Sequence, residues 1–306
     1  MKTVCLAILN YNGRRHLELL LPSALEAARL YHGDARVLVL DNRSTDNALE
    51  WIRSAYPAVN VIVAPKNDFL YSYNWLLPQL QEEIVVLLNN DLRLKDDFIL
   101  PLISHFSNSD VFAVSATSRD WNDKIYTFGP ISLRNHHGSY YWNPEFNRQK
   151  LSHTLFSSGG FMAVDRSKFL ELGGFNPLFR PAYGEDLDLC FRAWRRGWRC
   201  FFEPKSIAFH RESASWGSQD TRVSRMTLRA SLLFQWSSLP TDTSWLERLP
   251  FILITMVRRL LHGDTWYATV WIITWIEWIR VRGRYANLKT SKEELRTIQA
   301  GLESPI

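Results

Sequence analysis

Four groups of side chains in this sequence have the types and spacing to do chemistry. Asp41 closes the apolar run Val37-Leu38-Val39-Leu40 and opens the polar stretch Asn42-Arg43-Ser44-Thr45-Asp46. A carboxylate at such a point can accept hydrogen bonds from a nucleobase N–H or ribose hydroxyls; an Asp-Asn pair also serves simply to turn the chain. Asn89-Asn90-Asp91 follows Ile84-Val85-Val86-Leu87-Leu88 in the same way. Hard oxygen ligands on a rigid strand end suit Mg²⁺ or Mn²⁺ carried by a diphosphate, with the phosphates supplying most of the coordination. The plainer role is a polar cap on a strand. In Tyr183-Gly184-Glu185-Asp186-Leu187-Asp188, adjacent carboxylates open a helix and complement its dipole. One of them, held in a cleft beside a bound diphosphate, can act as general base. Gly159-Gly160 and Gly173-Gly174 lie upstream and allow close backbone approach. His210 by itself reads as structural; as a companion of Asp91 it reads as a metal ligand.

The elements that must position these groups follow from the apolar pattern. Short continuous apolar runs at residues 4–9, 36–40, 59–63, 84–88, 111–115, 161–164 and 199–203 predict strands covered on both faces. Helical spacing predicts helices over 14–30, 71–80, 98–106, 166–172 and 185–196. The alternation indicates an α/β fold with a mostly parallel central sheet and helices on both faces. Ligands bind beyond the carboxyl ends of strands in such sheets, where Asp41 and Asp91 both fall. Residues 119–154, rich in Asn, His, Tyr and Trp, are expected to form long loops or short hairpins over a pocket.

Composition sets the outer limits. The 306 residues, 46% hydrophobic and 22% charged, suffice for one large domain, or one domain with an appendage, and exclude disorder. Residues 1–220 carry 24 Lys and Arg against 24 Asp and Glu, whereas 221–306 carry 12 against 7, which is the whole net charge of +5. The second stretch also holds six of the 13 Trp. The division expected is a catalytic region, 1–220, followed by a basic, Trp-rich helical region, 221–306. Cys5, Cys190 and Cys200 form no disulfide framework, and a reducing cytoplasm fits them. The apolar run near Met1 is too short for a signal peptide and reads as a first buried strand.

Taken as an ordered set, several segments resemble family 2 glycosyltransferases of the Rossmann-like GT-A fold, especially bacterial rhamnosyltransferase-like members. They are Asn10-Tyr11-Asn12, the stretch from Val39 to Asp46, Leu87-Leu88-Asn89-Asn90-Asp91, and Gly173-Gly174-Phe175 leading to Glu185-Asp186-Leu187-Asp188, followed by His210. The resemblance covers roughly residues 1–220. It implies an inverting, metal-dependent hexosyl transfer from a UDP- or dTDP-linked sugar to an acceptor hydroxyl in polysaccharide or glycolipid synthesis. It further implies nucleotide contact through Asn10, Asn12, Asp41, Asn67, Asn74 and Asn90, a divalent cation on Asp91 with His210, and a base on Asp186, with Glu185 as second choice. Two positions depart from the pattern: the metal triplet begins with Asn89 rather than Asp, and the Gly-Phe pair before the next helix is Asp68-Phe69.

Near the end of the chain, Asp264 and Glu277 bracket 12 uncharged residues, well short of the ~20 needed to cross a bilayer. Trp271, Trp275 and Trp278 share one helical face, while Thr274, Glu277, Arg280 and Arg284 form a polar stripe. Residues 245–285 therefore read as a contact with the inner face of the plasma membrane, or as a cap packed on the catalytic region. No nucleic-acid motif accompanies the basic residues, so no nucleic-acid partner is expected. Two other functions compete with sugar transfer. A sugar nucleotidyltransferase needs a glycine-rich phosphate loop, and residues 10–15 hold only Gly13. A non-catalytic membrane-associated scaffold has no use for the retained set Asp41, Asp91, Glu185, Asp186 and His210.

Overall fold

The computed structural model describes residues 1–136, 139–146, 149–211, 221–240 and 244–306. The expected boundary between the two regions falls in 212–220, outside the described residues. Strands β1 (Val4–Asn10), β2 (Ala35–Asp41), β3 (Asn60–Val63) and β4 (Ile84–Asn89) run parallel. After them come β5 (Leu92–Leu94), β6 (Val111–Asp120), β7 (Tyr126–Phe128), β8 (Ile131–His136), β9 (Ser139–Pro144), β10 (Ser152–His153), β11 (Phe161–Asp165) and β12 (Arg199–His210). The main sheet has the order β10-β12-β6-β11-β4-β1-β2-β3, with β5 on β12 and β7 on β6, while β8 and β9 form a separate hairpin. β11 is antiparallel to both neighbours, so the sheet is mixed on that side.

Helices α1 (Arg14–Leu30), α2 (Ala48–Ala55), α3 (Ser72–Leu76), α4 (Ile99–Ser104), α5 (Arg166–Glu171) and α6 (Glu185–Arg195) cover the two faces. Val4, Leu6 and Ile8 point to the layer of α1, α2 and α4; Cys5 and Ala7 point to the layer of α3, α5 and α6. Burial on both sides is why these strands are continuous apolar runs rather than alternating ones. α1 buries Leu17, Leu20, Leu21, Ala24 and Ala27, the one-faced spacing of an amphipathic helix. All three cysteines are buried and free.

Four helices follow: α7 (Thr221–Ser237), α8 (Ser244–Leu261), α9 (Trp266–Val281) and α10 (Lys292–Glu303). Leu233 and Phe234 of α7, and Leu295 and Ile298 of α10, lie in the same core as β1 and α6. Phe234 meets Phe191 edge-on at 5.1 Å and Trp142 at 5.5 Å. This segment thus extends the core of the sheet.

Three elements differ from their sequence expectation. The helix expected over 71–80 is broken into α3 between two short 3-10 turns; Pro78, within the second, lacks the N–H that would continue the α-helical bonding. The last strand runs on to His210, past a bulge between Glu203 and Ile207. α2, where no helix was expected, has eight residues and buries only Ala48 and Ile52, too few apolar positions to mark a face in sequence.

Candidate active site

Strand register does the first part of the positioning. Asn10 pairs directly with Asp41 across β1 and β2, and Leu9 pairs with Asn89 across β1 and β4. The three strand ends are therefore level, and the loops leaving them share one edge of the sheet. On the other flank Phe161 lies opposite Leu88, which brings Gly159 and Gly160 to that edge; the Asn89 N–H donates to the Gly160 carbonyl at 2.8 Å. His210 lies opposite Leu92 on β5, just beyond Asp91.

Asp41 is fully buried, and Asn10 and Ser44 meet it. Its Oδ1 accepts from Asn10 Nδ2 (2.9 Å) and Ser44 Oγ (2.5 Å), and its Oδ2 from the Ser44 N–H (2.8 Å). Asn12 joins from the facing loop, its N–H donating to Ser44 Oγ (2.9 Å) and its Oδ1 accepting from the Thr45 N–H (2.7 Å). Asn90 Nδ2 donates to Asn10 Oδ1 at 2.8 Å. That approach requires glycine at the start of α1: a Cβ on Gly13 falls 1.9 Å from Asn90 Nδ2. Asn10, Asn12, Asp41 and Asn90 form one network. Asn67 is exposed and accepts from the Phe69 N–H at 3.3 Å. Asn74 binds the Phe175 backbone in both directions, at 2.8 Å each, and so pins the turn after Gly173-Gly174 to α3.

Asp91 is 8% exposed, and its Oδ2 lies 3.4 Å from His210 Nε2. Its Oδ1 is buried with no hydrogen-bond partner among the described residues. A buried carboxylate oxygen without a donor is costly unless something else meets it. The pair fits a divalent cation whose remaining ligands come from a diphosphate and water. Among the described residues, no set of three His, Cys, Asp or Glu side chains comes together to hold a metal alone.

The acidic pair opens α6. Gly184 precedes it at φ +86°, where the chain passes so close to Phe179 and Ala230 that a Cβ would sit 2.9 and 3.0 Å from them. Asp186 Oδ1 accepts from the Leu187 N–H at 2.8 Å, and Oδ2 from the Gly159 N–H at 3.3 Å. The second contact ties the pair to the Gly159-Gly160 turn and thus to Asn89. Glu185 is deeper, at 3% exposure, and its Oε2 is buried without a partner among the described residues. Burial, reinforced by repulsion from Asp186, pushes the Glu185 carboxyl up to about 8. Burial also raises Asp186, against the two N–H donors that favour its charge. The two N–H donors favour the charged form of Asp186, whereas Glu185 Oε2 has no donor among the described residues. Asp188 instead pairs with Arg192 at 2.7 Å, and Arg192 also binds the Leu172 and Gly174 carbonyls.

Three participants escaped the sequence reading. Ser44 lies inside the Asp41 loop, and its spacing of three from the aspartate is the signal available. Tyr71 and Arg180 sit beside the acidic pair: Arg180 stacks on the Tyr71 ring at 4.8 Å and pairs with Asp68 at 2.7 Å. The Tyr71 hydroxyl is buried without a partner among the described residues, and burial and the nearby Glu185 hold it protonated. Asp68, where the Gly-Phe pattern is broken, therefore clips the loop after β3 to the segment before α6.

Comparison with known proteins places this architecture. A mannosyltransferase from Pyrobaculum calidifontis, solved with GDP-Man and Mn²⁺, has a TM-score of 0.59 at 16% identity over 98% of this chain and 85% of its own. GalNAc-T7, solved with UDP, GalNAc and Mn²⁺, gives 0.57 at 14% identity over 78% of this chain and 48% of its own. TarS of S. aureus, residues 1–349, gives 0.51 at 14% over 77% and 72%. At these identities the likeness establishes the fold. An uncharacterized Sinorhizobium fredii protein is 26% identical over 216 residues, 66% of this chain; the chain spans only 24% of that relative's length. The family model described as Glycosyl transferase family 2 matches residues 5–173, more than half of the sequence. On that match, and on a fold shared with GT-A enzymes, the chain belongs to glycosyl transferase family 2.

Proposed function

We propose that the protein is an inverting, metal-dependent glycosyltransferase that moves a hexosyl group from a UDP- or dTDP-linked sugar to an acceptor hydroxyl. The observation carrying this reading is a chain of contacts along one sheet edge. It runs from Asp41 through Asn10 to Asn90, next to Asp91, and from Asn89 through Gly160 and Gly159 to Asp186. Asp41, with Asn10, Asn12 and Asn90 around it and Asn67 on the loop after β3, receives the nucleoside, and Asn74 braces the turn after Gly173-Gly174. Asp91 and His210 hold a divalent cation, which neutralises charge on the diphosphate when bound.

Asp186 is the base and Glu185 its protonated neighbour. The acceptor oxygen loses its proton to Asp186 and forms the new bond to the anomeric carbon from the face opposite the nucleotide. The bond from that carbon to the diphosphate breaks, and the diphosphate leaves with the electron pair. One displacement inverts the anomeric configuration, so the paired flanking carboxylates of a glycosidase are not needed. The acceptor belongs to polysaccharide or glycolipid synthesis on the cytoplasmic side of the plasma membrane, with 245–285 meeting that surface.

The test has two stages. Thermal unfolding with UDP, dTDP or GDP, each with and without Mn²⁺, should show a rise that needs both a nucleotide diphosphate and the metal. Donors carrying that nucleotide should then release it by slow transfer to water, with the freed sugar inverted at C1 when followed by NMR. No metal-dependent shift with any diphosphate, or retention at C1, rules the reading out.

A further inference from the structure

Helix α9 is built inside out. Its polar residues Thr274 and Glu277 face the protein: Thr274 is 1% exposed, and Glu277 is held by a two-pronged ion pair from Arg229 of α7. The tryptophan face turns partly inward as well. Trp271 and Trp275 meet Trp236 at 5.6 and 5.3 Å, and Trp278 packs on the main core. What remains outside is Ile272, Ile273, Ile276 and Ile279 together with part of Trp275, each 44–59% exposed. The neighbouring α8 does the same with Leu253, Ile254, Val257, Leu260 and Leu261. A helix in water places its apolar stripe on the core and its polar stripe outside. The reverse arrangement on two adjoining helices leaves exposed apolar residues on both, of the kind that mark an interaction site.

Length and charge identify what covers it. α9 has 16 residues, about 24 Å at 1.5 Å each against a hydrocarbon thickness of about 30 Å, and no described helix is long and apolar enough to cross a membrane. Exposed Arg258, Arg280, Arg282 and Arg284 lie at the ends of the two helices, in the part of the chain that carries the whole net charge of +5. A second copy would bring the same cations against themselves. An anionic lipid headgroup layer complements them, while its acyl region accepts the isoleucines.

We propose that α8 and α9 lie flat in an anionic membrane leaflet, isoleucine face down, with their arginines among the headgroups. This names the face behind the membrane contact proposed above, and it is independent of the transfer chemistry. α7 is the strut between this face and the acidic pair. Arg229 pairs with Glu277 on one side and donates to the Leu178 carbonyl (3.3 Å) on the other, and Ala230 abuts Gly184 at the start of α6. The mouth of the site is thereby fixed relative to the leaflet.

The test uses the full chain and sedimentation with vesicles of phosphatidylcholine, with or without a third of phosphatidylglycerol. Binding should require the anionic lipid and weaken with salt, and Ile272→Asp/Ile276→Asp should reduce it roughly tenfold or more. The same variant should keep the wild-type melting temperature and nucleotide binding, since both side chains point away from the fold. Three results overturn the proposal: wild type left in the supernatant with anionic vesicles, a double variant that sediments like wild type, or a lipid-free dimer that the double variant converts to monomer while vesicle binding is absent. Nucleotide binding measured on the same preparations separates the two readings. Its loss in wild type defeats the transferase assignment and leaves the vesicle result standing; its retention without vesicle binding defeats the docking face alone.

Discussion

The two ends of the site are built in opposite ways. At the Asp41 end every carboxylate oxygen is already met: Asn10, the Ser44 hydroxyl and the Ser44 N–H converge on it, and Asn12 and Asn90 complete the network. At the Asp91 and Glu185 end, the structure buries polar oxygens that nothing described satisfies, Asp91 Oδ1, Glu185 Oε2 and the Tyr71 hydroxyl among them. A satisfied network rigidifies a surface and costs nothing when a ligand arrives. Unmet buried groups tax the empty protein and are released when a cation, a diphosphate or an acceptor supplies the missing partner. On the proposed function, the nucleoside end is thus a preformed template, and the reacting end carries unmet groups that substrate would satisfy.

The largest effect that can break this contrast is on turnover. Asp186→Asn keeps one oxygen, enough for the shorter bond from the Leu187 N–H, but loses the acceptor for Gly159 and cannot take a proton. Transfer should fall by about 10²–10⁴-fold, the range for losing a general base, with nucleotide affinity nearly unchanged. Rates close to wild type would remove Asp186 from the mechanism.

Next in size is a pH effect on stability. The Glu185 carboxyl is raised from its ordinary 4.5 to about 8 in the folded protein, so between those values the folded state binds more protons than the unfolded one. Stability contributed by the protonated form is fully present below pH 4.5 and is lost as pH rises through 8. Glu185→Gln removes that loss. Its unfolding free energy should gain on wild type by on the order of 2–4 kcal/mol between pH 5 and pH 8, read from urea unfolding. Parallel curves for the two proteins would mean the acidic pair is not strained.

Asp41→Ala probes the template end. It leaves the buried Asn10 amide and the half-buried Ser44 N–H and hydroxyl without their acceptor, and should lower stability by about 2–3 kcal/mol even with no ligand present. A loss under about 0.5 kcal/mol would show that the loop is not organised around Asp41.

How much of this was legible in sequence differs between the same two ends. The strands were readable because burial on both faces makes unbroken apolar runs, and their polar termini marked Asp41 and Asp91 as edge residues. The acidic pair was readable from Glu185-Asp186 opening a helix. Nothing local showed that Tyr71 and Arg180 would stand beside it, because Tyr71 looked like one more apolar position of a helix and Arg180 belongs to no periodic element. Nor could periodicity say which side of α9 faces the protein. Trp271 and Glu277 lie on the inner side because Trp236 and Arg229, some 40 residues earlier, give them partners.

The smallest expected effect is the sharpest contrast with Asp41. Asp91→Asn keeps the shape of a side chain whose Oδ1 has no donor among the described residues, while removing its charge. Without ligand the variant should be as stable as wild type, or more stable by up to about 1 kcal/mol, because it relieves an unmet buried carboxylate. The loss should appear only when Mn²⁺ and a nucleotide diphosphate are added together: the extra stabilisation they give wild type shrinks as affinity falls by roughly 10–100-fold. A ligand-free loss as large as that of Asp41→Ala would make Asp91 part of the scaffold. An unchanged metal-dependent shift would move the cation site elsewhere on the same edge.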